Sequence, residues 1–183
     1  TTGWSLPLPT DEVDRDRTLV LVFAGATLDQ TATPLQELAA AYDGAVVLGC
    51  SSAGEIAGAA VADDGLSVAV ATFESTRLEL VVAVADDPTG SHATGRRVAG
   101  ALEALDHDED LSAVFVLSDG LSVNGAALVS GITSVLRRDV VVTGGLAGDG
   151  DRFESTWVLV HGRPATGHVT ALGLYGAALE VGH

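Results

Sequence analysis

The 183 residues hold nine basic side chains against 25 acidic ones, a formal charge of −16, with 47% hydrophobic and 19% charged residues. That balance describes a folded globular chain whose field repels nucleic-acid phosphates and anionic lipid headgroups alike, so neither nucleic acid nor membrane is an expected partner. The single cysteine, Cys50, excludes an intramolecular disulfide and suits a reducing cytoplasm, and no apolar run approaches the roughly 20 residues that cross a bilayer.

Every basic residue is arginine and no methionine occurs. The arginine usage reads as genome composition or a salt-adapted surface, and the missing methionine marks residue 1 as other than a natural start. No basic segment followed by an apolar one is read as a leader.

Residues 1–17 read as a lead-in. Residues 18–23, TLVLVF, form a nearly continuous apolar run, as in a strand buried on both faces. The spacing of Leu35, Leu38, Ala39 and Tyr42 predicts a helix over 34–42, with Thr31 or Thr33 as its cap. Gly44 ends that helix, 45–48 is the next strand, and 49–58 is a small-residue loop. Residues 66–73 and 78–85 are strands joined by a short turn at 74–77, which predicts a hairpin. A helix over 91–105 presents Val98, Leu102 and Leu105 on one face. A strand at 113–117, a loop at 118–124 and a helix at 125–136 follow. Residues 140–143 are a strand and 144–151 its loop; 156–160 and 169–175 are expected to pair around the turn 161–167.

A shift of 94 residues lays 19–56 on 113–150 without a gap, and seven positions coincide, among them Val20 with Val114, Val47 with Val141 and Gly54 with Gly148. Element order matches as well, which predicts a duplicated strand–helix–strand unit. Parallel strands present ligand loops at their carboxyl ends, where helices begin and N–H groups are unpaired. The expected pocket therefore lies where 50–55, 118–124 and 144–149 converge.

These loops carry the polar candidates. Cys50, Ser51, Ser52 and Glu55 stand in one tight segment, either as a polar pocket wall or as a turn whose hydroxyls serve their own backbone. An activated Cys50 thiolate needs a neighbouring base or cation, and no histidine is near it in sequence. Ser118 is outside a G-x-S-x-G elbow, Asp119 sits in a turn, and Asn124 is placed to cap the following helix. The stretch with Gly144, Gly145 and Asp149 lacks G-x-G-x-x-G spacing, so a dinucleotide loop is not supported. Asp149 pairs with Arg152 or faces a ligand. The five histidines, His92, His107, His161, His168 and His183, show no metal-ligand spacing, and no cofactor is expected.

Taken together, the opening Gly3-Trp4-Ser5, then LVLVF, VVLGCSSAGEI, FVLSDGLSVNG, VVVTGGLAGDG and the closing GLYGAALEVGH resemble the FIST N domain across about residues 3–183. The resemblance implies an intracellular sensory module that binds a small ligand, with amino acids suggested, and that catalyses nothing. It also implies a following FIST C part, absent here because the chain stops about where that part would begin. Carried over by motif, the polar loop positions are Cys50, Ser51, Ser52, Glu55, Ser118, Asp119, Asn124, Gly144, Gly145 and Asp149. One branch of the family binds haem, but no histidine here matches an axial ligand.

The expected fold is α/β, with duplicated strand–helix–strand units and added β-hairpins in a layered sandwich, αββα in one arrangement. For an amino-acid ligand, hydroxyls and N–H groups suit the carboxylate, and Asp119, Glu55 or Asp149 the ammonium. Two other functions stay open: a docking half that pairs with FIST C without a ligand, and a hydrolase using Cys50 or Ser118.

Overall fold

The computed structural model describes residues 4–10, 14–63, 65–85, 87–105, 108–176 and 181, with the backbone alone at 28–31. Gly3, His107, His183, the Thr31 side chain and most of the closing motif lie outside the described residues.

In chain order the elements are β1 (Thr18–Gly25), α1 (Leu28–Ala41), β2 (Val46–Ser52), β3 (Glu55–Ala57), β4 (Ala60–Ala62), β5 (Leu66–Thr72), β6 (Arg77–Val84), α2 (Ser91–Glu103), β7 (Leu111–Ser118), α3 (Gly125–Thr133), β8 (Val141–Leu146), β9 (Val158–Val160), β10 (Arg163–Ala165) and β11 (His168–Tyr175). One sheet has the order β10-β9-β2-β1-β5 and the other β6-β11-β7-β8; β3 and β4 form a small hairpin apart from both.

Strand residues alternate between faces, and here both faces are covered. On β1, Val20 and Val22 pack under α1 with Leu35, Leu38, Tyr42 and Trp157. Their neighbours Leu19, Leu21 and Phe23 point the other way, into a layer shared with Leu117, Leu172 and Leu174 of the second sheet. That sheet turns Val114, Val116, Val169 and Ala171 outward under α2 and α3, against Val98, Leu102, Leu128 and Ile132. The fold is a four-layer αββα sandwich. The continuous apolar run of β1 follows from that double burial.

Each sheet contains one parallel strand–helix–strand unit, β1–α1–β2 and β7–α3–β8. Their registers differ by one residue. Leu19 pairs with Val46, 27 positions on, whereas Ala113 pairs with Val141, 28 positions on. A gapless shift of 94 sets Val47, which packs on the α1 side, opposite Val141, which faces the other sheet. Val46 is the residue that corresponds to Val141, so the second unit holds one more residue between its strands. Each unit is followed by a short hairpin, β3–β4 after the first and β9–β10 after the second.

Four local expectations need correction. The first helix begins at Leu28, not at Pro34, and Thr27 rather than Thr31 or Thr33 stands at its N-cap. Pro34 is tolerated inside it at the cost of one backbone bond. Second, residues 49–52, 118 and 144–146 are strand ends, because the parallel ladders run on to Gly25–Ser52 and Ser118–Leu146. Gly49 belongs there for packing: a Cβ would lie 2.4 Å from the Val22 carbonyl oxygen. Third, β5 and β6 form no hairpin. β5 runs antiparallel to β1, and β6 antiparallel to β11 in the opposite sheet. Four linking residues reach about 13 Å, enough to cross the ~10 Å between packed sheets as readily as to fold back. Finally, β9 pairs with β10 and touches β2 at Cys50–Val158, while β11 is inserted between β6 and β7. Residues 156–160 and 169–175 therefore belong to different sheets.

Among the described residues no helix is long and apolar enough to cross a membrane.

Candidate functional site

Both parallel pairs end at the same side of the sandwich, and the sheets part there. Between them lies a cavity of about 360 Å³, walled by Phe23, Cys50, Ser51, Ser52 and Ala53 from the first sheet and by Phe115, Leu117, Thr143, Gly144, Gly145, Leu146 and Gly148 from the second. Its base is aromatic and aliphatic. Its rim carries hydroxyls and glycine backbone, and none of the lining side chains is charged.

Main-chain bonds hold the rim together. Gly148 N–H donates to the Ser51 carbonyl at 3.0 Å, linking the two sheets, and Ala147 N–H donates to the Ser118 carbonyl at 2.8 Å. Gly120 N–H donates to Thr156 Oγ1 at 2.9 Å. The segments around 50–55, 118–124 and 144–149 are thus brought together, but their side chains divide into two groups.

Cys50, Ser51, Ser52, Gly144 and Gly145 line the cavity. Ser51 is fully buried, and its Oγ accepts Trp157 N–H at 3.1 Å. Ser52 Oγ donates to the Gly54 carbonyl at 2.7 Å. Ser118 faces the helix side instead, onto a second cavity.

The other four candidates line neither cavity. Asp119 is buried; its Oδ1 accepts the N–H groups of Leu121 and Ser122 and its Oδ2 that of Gly167, at 2.7–2.9 Å. Asp149 accepts from Phe153, Glu154 and Ser155. Glu55 accepts Gly65 N–H at 2.8 Å, which fastens the β3–β4 hairpin to the start of β5. Asn124 caps α3 by accepting Ala127 N–H at 3.0 Å. Each carboxylate is a clamp on loop backbone.

The Asp149 clamp has a pH signature. Hydrogen bonds from Ser155 and then Glu154 hold its carboxyl below the ordinary value of 3.8, with a smaller contribution from the Arg152 charge. A lowered carboxyl pKa gives stability that is present above the ordinary value and lost as pH falls through the lowered one. Acid titration below about pH 4 is expected to release the 149–155 loop, read as amide exchange there, and Asp149→Asn should remove that dependence.

The FIST N domain family model matches residues 18–183. The chain belongs to the FIST N family. No curated protein matches the sequence. FIST N domains are parts of sensory modules, which implies a ligand and a FIST C partner.

The reading by polar loops missed Phe23, Phe115, Leu117, Thr143 and Leu146. A signal for the first three exists in parity. Phe23 is the last inward residue but one on β1, and Phe115 and Leu117 occupy the same face of β7, so their strand ends must border any gap between the sheets.

Burial pushes the Cys50 thiol of this FIST N domain from 9.0 up to about 12. The neutral thiol is favoured in the fold, so this contribution to stability is complete below pH 9 and lost as pH rises towards 12. Alkylation of the native protein is expected to be slow, to rise about tenfold per pH unit between about pH 6 and 9 without a plateau, and to become fast only on unfolding. A fast native-state labelling rate that levels off near neutral pH would mean an activated thiolate.

Proposed function

We propose that this FIST N domain senses a small molecule held between its two sheets and performs no chemistry on it. One observation carries the reading: the cavity is walled by the ends of both parallel units, so an occupant touches both sheets at once. Its volume lies within the range of small-molecule sites. Phe23, Phe115 and Leu117 offer an apolar bed, and Ser52, Thr143 and the Gly144–Gly145 backbone offer hydrogen bonds at the mouth.

The ligand is a compact molecule with an apolar body and a polar head. Amino acids with apolar side chains fit that description, and their carboxylates would meet hydroxyl and N–H donors. Their ammonium group would be received by strand-end carbonyls, since Glu55, Asp119 and Asp149 are occupied by backbone N–H groups. Catalysis is disfavoured by the neutral, buried Cys50. Binding would bias the spacing of the sheets at β8, an edge strand paired only with β7 among the described residues. In the full-length protein a FIST C part would receive that change, in the reducing compartment that a lone thiol suits.

Ala53 tests this, because it is exposed on the rim of the inter-sheet cavity. Ala53→Trp is expected to leave the thermal midpoint of the free protein within about 2 °C and to abolish stabilisation by the ligand. That stabilisation amounts to about 2.7 kcal/mol at a hundred times Kd. Mass spectrometry of co-purifying small molecules, followed by thermal shift over the twenty amino acids, supplies the ligand. Undiminished stabilisation in Ala53→Trp would refute the site.

A further inference from the structure

A second cavity of about 340 Å³ lies on the other face of β8, between that strand, the end of β7 and the start of α3. Val116, Leu128, Val129, Val142 and Leu146 form its apolar walls, and its polar end holds Ser118 beside Gly125, the first residue of α3.

Ser118 follows Val114 and Val116 on the helix-facing side of β7 and is 1% exposed. Its hydroxyl makes no hydrogen bond to the described residues and opens onto the cavity. Beside it, the Asn124 carbonyl takes Leu128 N–H and the Asn124 side chain takes Ala127 N–H. The first two N–H groups of α3, those of Gly125 and Ala126, have no acceptor among the described residues. Ser118 and Gly125 thus bring two donors to one end of an apolar space, with the Ala126 N–H next along the first turn, at the positive end of a nine-residue helix.

We propose that this cavity binds a short aliphatic monocarboxylate. The carboxylate accepts from Gly125 N–H, Ala126 N–H and Ser118 Oγ–H, and the hydrocarbon end fills the space among Val116, Leu128, Val142 and Leu146. The chemistry narrows the class in three ways. Donors and a positive helix end exclude an amine. Without an arginine among the lining residues, one negative charge is matched and a phosphate dianion is not. A cavity of this size has room for a short aliphatic chain. The site is separate from the inter-sheet cavity, although residues 143–146 wall both.

The test is amide NMR of the 15N-labelled protein titrated with butyrate, isovalerate and hexanoate, and with their primary amides as neutral controls. Saturable shifts are expected at Ser118, Gly125, Ala126 and 142–146, with the amides binding about tenfold more weakly. Ser118→Ala should weaken the carboxylates about tenfold. Val129 is 42% exposed on the rim of this cavity alone, and Val129→Phe should abolish binding in a folded protein. Ala53→Trp, which closes only the inter-sheet cavity, should leave carboxylate binding intact. Equal binding of carboxylates and amides, shifts confined to residues 23 and 50–53, full affinity in Val129→Phe, or no saturable shift would each overturn the proposal.

Discussion

Trp157→Ala is expected to lower the unfolding free energy by about 4 kcal/mol in denaturant titration, and the thermal midpoint by roughly 10 °C. Trp157 is 1% exposed and fills the space between α1 and the first sheet, among Val20, Leu35, Leu38 and Tyr42. No short side chain can occupy that volume, and α1 is the sole helix packed on this face of the sheet among the described residues. The residue also joins parts of the chain far apart in sequence. Its carbonyl accepts Ser51 N–H at 2.9 Å, its N–H donates to Ser51 Oγ at 3.1 Å, and its indole N–H donates to the Ala26 carbonyl at 3.2 Å. Trp157→Phe keeps most of the volume and both backbone bonds, losing chiefly the indole bond, and should cost about half as much. A loss under about 1 kcal/mol in the alanine variant would mean that the layer collapses around the gap, against the packing described.

Gly144→Ala is expected to be nearly as damaging, at about 3 kcal/mol, although it adds a single methyl group. Gly144 has φ of +142°, and a Cβ there would lie 1.8 Å from the Val116 carbonyl oxygen. Val116 is its ladder partner on β7, so the clash falls on backbone that cannot rotate aside. β8 would have to leave β7, and with it the wall shared by both cavities. Gly145→Ala provides the control. A Cβ at Gly145 meets nothing within 4 Å, and the change should stay within about 0.5 kcal/mol. Comparable losses from the two variants would contradict the close β7–β8 approach.

Several features were readable before any coordinates. The run TLVLVF declared a strand covered on both sides because after Thr18 it leaves no polar residue for water to contact. The helical stripes of α1 and α2, the Asn124 cap and the glycine at 44 follow from local chemistry, which acts within a few residues. The ordered motifs from 45 to 150 identified the family, and two strand–helix–strand units were visible in the matching order of elements.

Tertiary structure alone decided the rest. Whether β5 and β6 pair or part depends on which sheet offers each a free edge, and a four-residue linker suits both outcomes. Glycine and serine at 49–52 and 144–146 look like turn residues, yet a parallel neighbour supplies the hydrogen bonds that make them strand. The one-residue difference between the units appears only in which face Val47 and Val141 take. For the site, the acids Asp119 and Asp149 stood out in sequence, but backbone N–H groups within a few residues, and at Gly167, already claim them. The walls of the cavity are Phe23, Phe115, Leu117 and Leu146, apolar residues indistinguishable from core until two sheets meet and stop short of closing at one end. A cavity is a property of that mismatch between packed layers, and no single segment of the chain contains it.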